Sequence, residues 1–114
     1  MTGPVKVYRG AERPALQFWL RDTAKNLIDF STGYTFSFKI GYPGQAALLT
    51  KTSGIVGAAG SGVDPTGTPN VTVTFSAGEL DNVPRGKYEW QITATTGGND
   101  RPFLGPIEVA AVIT

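Results

Sequence analysis

Nine carboxylates are the main candidates for acid–base chemistry in this chain: Glu12, Asp22, Asp29, Asp64, Glu79, Asp81, Glu89, Asp100 and Glu108. A glycosidase would need two of them facing each other across a cleft. Asp22 and Asp29 flank one short loop and are the pair most able to approach. Asp in a turn more often accepts backbone hydrogen bonds, and that structural role is the expectation here. Histidine and cysteine are both absent. Their absence removes the commonest general base, the commonest transition-metal ligand and all thiolate chemistry. No D-x-D-x-D-G loop offers calcium its clustered oxygens. The stretch "VDPTGTPN" carries one acid only. "GAAGSG" lacks the G-K-[ST] ending of a phosphate loop. "NVT" at Asn70 matches a glycosylation sequon, which carries little weight without a secretory signal. No catalytic residue, cofactor or metal ligand is expected.

Aromatic and basic residues lie side by side at Tyr8–Arg9, Trp19–Arg21 and Arg101–Phe103. With ten basic and nine acidic residues the net charge is +1. Such a balance gives no field to steer nucleic acid or an anionic membrane. These pairs, with Tyr42, are instead candidate protein contacts. Trp19 alternates with Phe18, so an inward Phe18 places Trp19 outward, between Gln17 and Arg21. A Trp beside an Arg on an outward face is a common interface anchor. The competing reading is that a loop or the N-terminal segment covers it. Ala110 and Val112 form a weaker apolar patch on the last strand.

These residues need a scaffold. One domain spanning residues 1–114 is expected from the length, which also suffices for a core without staples. Fifteen Gly and eight Pro favour short strands and many turns. The start "MTGPVKVYRG" has no apolar h-region, and no run approaches the ~20 apolar residues of a membrane span. Synthesis and first folding in a cytoplasm are expected.

Alternation marks the strands. "PVKVYR" reads as an edge strand. "ALQFWLRD" places Leu16, Phe18 and Leu20 on one face. "YTFSFKIGY" is the clearest strand, with Tyr34, Phe36, Phe38 and Ile40 inward. "AALLTKT" is shorter, and one short strand is expected around Ile55 and Val56. "VTVTFS" turns Val71, Val73 and Phe75 inward. "KYEWQITAT" does the same with Tyr88, Trp90, Ile92 and Ala94. "TGGND" reads as a hairpin loop, and "PIEVAAVI" closes the chain with Ile107, Val109, Ala111 and Ile113 on one face. About seven antiparallel strands of this kind indicate a β-sandwich or a small barrel.

The stretch "FSAGELDNVPRGKY" interrupts two strands. Ser76 and Glu79 have capping-box spacing, so one helical turn is expected over 77–82. Leu80 and Val83 would drop from it into the end of the core, and Tyr88 would bond back to the crossover. A capped turn here satisfies backbone groups as the chain passes between sheets.

Taken together, "VYRGAERPALQFWLRD", "LIDFSTGYTFSFKI", "GIVGAAG", "NVTVTFSAGELDNVPRGKYEWQI" and "GPIEV" resemble the immunoglobulin-like domain at the N-terminus of phage baseplate upper proteins. The pattern is also similar to small minor tail proteins of tailed phages. Asp22, Asp29, Gly33, Phe36, Phe38, Val71, Val73, Phe75, Gly86, Tyr88 and Trp90 fill its places, over about residues 5 to 109. The resemblance implies an immunoglobulin-like β-sandwich. It implies a non-enzymatic virion component, a minor tail or tail-tip protein, docking on other virion proteins in a symmetric multi-copy assembly. The alternatives are a capsid decoration protein and a carbohydrate-binding module that would use Trp19 with Tyr42 on a surface glycan. A small hydrolase ranks last. The expected contacts are Tyr8, Arg9, Trp19, Arg21, Tyr42, Arg101 and Phe103.

Overall fold

A computed structural model describes residues 5–9, 15–64, 66–76 and 78–111. The described residues form eight strands: β1 (Val5–Arg9), β2 (Leu16–Phe18), β3 (Thr35–Gly41), β4 (Leu49–Lys51), β5 (Ile55–Gly57), β6 (Val71–Val73), β7 (Gly86–Thr96) and β8 (Asn99–Ala111). They build an all-β structure of two sheets. One is a curled five-stranded half-barrel in the order β1-β8-β7-β3-β4, and the other has the order β2-β6-β5.

The larger sheet is mixed. β1 runs parallel to β8, from Val5 opposite Ile107 to Arg9 opposite Ala111. Its other pairings are antiparallel. The expectation of purely antiparallel strands is therefore corrected at this edge. A parallel neighbour cannot be joined by a hairpin, and the whole chain between β1 and β8 supplies the connection.

The last strand is longer than its sequence suggests. Gly97 and Gly98 both have positive φ, 55° and 81°. That is the geometry of a two-residue hairpin turn. It closes on Thr96 opposite Asn99, and pairing then runs unbroken to Gly86 opposite Val109. Pro102 and Pro106 hid this strand from the alternation argument. The closing pair sets the hydrogen-bond parity: odd-numbered β8 residues turn their backbone groups to β7, even-numbered ones away. β1 covers only 107–111 of that second side. Among the described residues, both prolines therefore lie where no neighbouring strand asks for an N–H.

The alternation itself is reproduced. Leu16, Phe18, Phe38, Ile40, Val71, Val73, Phe75, Tyr88, Trp90, Ile92, Ala94, Ile107 and Val109 are all buried in one core. Tyr34 and Phe36 are half-buried against it. Ile113 lies outside the described residues, as does the side chain of Ala111. Phe18 links the two sheets, with ring centroids 4.7 Å from Trp90 and 6.4 Å from Phe38. Phe38 in turn meets Phe75 edge-on at 5.8 Å. Trp90 lies opposite Gly105, and a Cβ there would stand 2.7 Å from its indole. The absent side chain is what lets this large ring lie on the sheet.

The crossover between β6 and β7 departs from expectation. Ala77 lies outside the described residues. From Gly78 to Asn82 the chain forms successive turns rather than an α-helix. Their backbone bonds span three residues: Glu79 N–H to Ser76, Asp81 N–H to Gly78 and Val83 N–H to Leu80. Half of the capping box is present, since the Ser76 N–H donates to Glu79 Oε1 at 2.6 Å. Leu80 and Val83 are fully buried and close the end of the core. Tyr88 Oη donates to the Pro84 carbonyl at 2.6 Å, tying β7 back to the crossover.

Candidate functional site

Tyr42 directly follows β3 and stands on a built corner. Pro43 and Gly44 form the turn, closed by Gln45 N–H on the Tyr42 carbonyl at 3.0 Å. The ring packs against Tyr88, centroids 4.9 Å apart, and Tyr88 is itself anchored through Pro84. Tyr42 nevertheless stays 53 % exposed. An exposed aromatic held from two sides costs little entropy when a partner covers it.

Two clefts meet at this ring. One, of about 250 Å³, is lined by Lys39, Gly41, Tyr42, the turn 43–47, Glu89 and Gln91. The other, of about 410 Å³, is lined by Tyr42, Pro43, Lys87, Tyr88, Glu89, Leu104, Gly105 and Pro106. Leu104 is 55 % exposed. Cross-strand register explains the grouping: Gln91 pairs with both Lys39 and Leu104, and Glu89 with both Gly41 and Pro106. The result is an apolar centre with charged and amide groups around it. Aromatic anchors with a polar rim are the usual anatomy of a protein contact.

The other expected contact residues are dispersed. Trp19 is half-buried, and its Nε1 is shielded from solvent with no hydrogen-bond partner. It lines neither cleft that Tyr42 lines, so the two rings expected to share a glycan stand in separate places. Arg21 is occupied within the chain: its guanidinium donates to the Lys25 carbonyl at 2.9 Å and to Gly62 at 2.7 Å. Phe103 points inward and meets Phe30 edge-on at 6.2 Å. The parity of β8 places Phe103 with Ile107 and Val109, on the core side. Arg101 is exposed near the hairpin end. Tyr8 and Arg9 lie on β1 by backbone, and their side chains fall outside the described residues. Val112 and Glu12 fall outside them too.

The acidic residues take structural parts. Asp22 Oδ1 accepts from the backbone N–H groups of Ala24 and Asn26. Asp29 Oδ1 accepts from the Ser31 hydroxyl and N–H, at 2.6 and 2.9 Å. Those two bonds, the hydroxyl first, hold its carboxyl below the ordinary value. Among the described residues no three of Asp and Glu cluster as a metal site. No helix among them is long and apolar enough to cross a membrane.

Two buried polar residues escaped the sequence argument. Lys51 is 7 % exposed at the end of β4. Its Nζ donates to Glu79 Oε1 at 2.8 Å and to the Thr74 carbonyl, and lies 4.8 Å from the Phe75 ring centroid. Burial pushes the Glu79 carboxyl up, but the hydrogen bonds from Lys51 and Ser76 outweigh it and leave the group below its ordinary value. Asn70 is fully buried. Its Oδ1 accepts from Leu20 N–H at 2.8 Å, and its Nδ2 donates to the carbonyls of Leu20 and Ile28 at 2.8 and 3.0 Å. Its amide therefore serves the fold, not a sugar. Leu104 was missed for the same reason as the rest of early β8; the alternation in "RPFLGP" between its prolines is the signal that could have found it.

Compared with protein-family models, with curated proteins and with solved structures, the chain matches none of them.

Proposed function

We propose that the chain is an immunoglobulin-like β-sandwich acting as a non-enzymatic structural protein of a tailed-phage virion, a minor tail or tail-tip component docked through the Tyr42 corner. Two features support the finer fold reading. Pairing of the first, eighth, seventh, third and fourth strands against the second, sixth and fifth follows immunoglobulin order. The Tyr88 bond back to Pro84 is what a tyrosine corner of such a fold would make. The observation that carries the docking role is the exposed pair Tyr42 and Leu104, one on the turn after β3 beside Pro43 and the other on β8 between Pro102 and Pro106. A rigid block of this kind can serve many symmetric copies without reorganising.

Labelled antibody on particles from a producing lysate tests the assignment directly. Labelling of tails supports it, labelling of heads favours a capsid decoration protein, and bare particles refute both. Within particles, Tyr42→Ala should abolish incorporation while the isolated domain keeps its melting temperature. A second reading is a carbohydrate-binding module, favoured by Gln45, Gln91 and Glu89 beside the Tyr42 ring in the smaller cleft. A glycan array with the purified chain separates the two.

A further inference from the structure

We infer that the edge of β3 at Phe36 accepts an extended, uncharged polypeptide strand from a partner chain, a site separate from the Tyr42 corner and independent of the virion reading. The hairpin parity carried through β7 turns Thr35, Ser37, Lys39 and Gly41 toward β7, and Phe36, Phe38 and Ile40 toward β4. The Leu48 N–H on the Ile40 carbonyl agrees with that parity. β4 then pairs only with residues 38 to 40. Past Lys51 the chain leaves this sheet for β5. The backbone N–H and C=O of Phe36 are left facing a cleft of about 810 Å³, which β5 also lines, with no strand paired to them among the described residues.

The chemistry of the cleft selects its occupant. It is lined by Tyr34, Phe36, Ser37, Thr52, Ile55 and Val56 among others, and not one lining residue is charged. Open edges are ordinarily blunted by Lys, Pro or a bulge; Tyr34 to Ser37 carries no Lys and no Pro. Unpaired backbone donors and acceptors beside uncharged rings, aliphatic side chains and Ser and Thr hydroxyls are what strand addition uses, with main-chain bonds for affinity and alternate side chains for fit. A second copy is the poorer occupant. A second copy would have to bring its own short edge, already packed beside its β5, whereas a free extended segment can lie along the cleft. A charged segment would lose its hydration against this lining without finding a counter-charge.

The test uses the full ¹⁵N-labelled chain with a capped peptide, acetyl-Thr-Val-Thr-Val-Thr-amide, and a comparator carrying Lys in place of both Val residues. The first peptide should give saturable amide shifts at Phe36 and Ile55–Gly57 and should slow hydrogen exchange at Phe36; the comparator should not. Val56 is 63 % exposed, so Val56→Lys should leave the melting temperature unchanged while weakening binding by about tenfold or more. Absence of saturable shifts, shifts confined to the Tyr42 corner, or equal binding to Val56→Lys would each overturn the inference. So would a Phe36 amide already protected in the free chain. Protection that grows with protein concentration would name a second copy as the occupant instead.

Discussion

Replacing Asn70 by Ala should be among the costliest single changes available outside the apolar core. The amide makes three hydrogen bonds in a fully buried setting, all to backbone groups fifty and forty-two residues away in sequence. In Asn70→Ala the Leu20 carbonyl keeps one partner, the Ile28 N–H at 3.3 Å. The Leu20 N–H and the Ile28 carbonyl lose theirs, and Leu20 and Ile28 are themselves buried. An orphaned buried group costs about 1–3 kcal/mol, so the two together cost about 2–6 kcal/mol. Against a typical domain stability of about 5–15 kcal/mol, that is a large share. With a urea m-value of about 1.5 kcal/mol/M, a loss of 3 kcal/mol moves the midpoint down by about 2 M. Asn70→Asp should be worse at neutral pH. One carboxylate oxygen can still accept from Leu20 N–H, but the other faces two carbonyls and the charge is buried. Urea unfolding followed by tryptophan fluorescence measures both. A loss below about 0.5 kcal/mol for Asn70→Ala would refute the claim that this amide holds the 20–28 turn onto the smaller sheet.

Acid should find the crossover. The Glu79 pKa is lower folded than its ordinary 4.5, so its contribution is complete above about pH 4.5 and fades as pH falls through the folded value. Wild type should lose more stability than Glu79→Gln between pH 5 and pH 3, as about ten urea curves across that range would reveal. Gly105→Ala drives a methyl to within 2.7 Å of the Trp90 indole; it should cost about 1–3 kcal/mol and alter the near-UV circular dichroism of the tryptophan. Tyr88→Phe removes the Oη bond to Pro84 and keeps the ring, so thermal unfolding should report a loss of about 1 kcal/mol.

The inward faces of the strands were legible because alternation is local. Period-two burial needs only that one side of each strand be dry, and Phe36, Phe38 and Ile40 or Tyr88, Trp90 and Ile92 announce that without any partner being known. The half capping box at Ser76 and Glu79 was legible for the same reason, as its side-chain bond acts within one turn. Helicity did not follow over the described part of 77–82, where the backbone bonds span three residues in successive turns that still bury Leu80 and Val83.

What tertiary structure alone decided is which groups lack neighbours. Pro102 and Pro106 are admissible in a strand because their missing N–H faces away from β7, on the side where the described β1 pairing begins only at Ile107, a fact no window around "RPFLGP" contains. Arg21 and Phe103 carry contact-forming chemistry in sequence, yet Gly62 and Phe30 had already claimed them. Tyr42 kept its exposure, and the Phe36 backbone its open edge, through where β4 begins and ends. Side-chain type and spacing specify which face of a strand is dry. Whether a donor, a ring or a charge is left over for a partner depends on residues dozens of positions away, and only the folded chain brings those into contact.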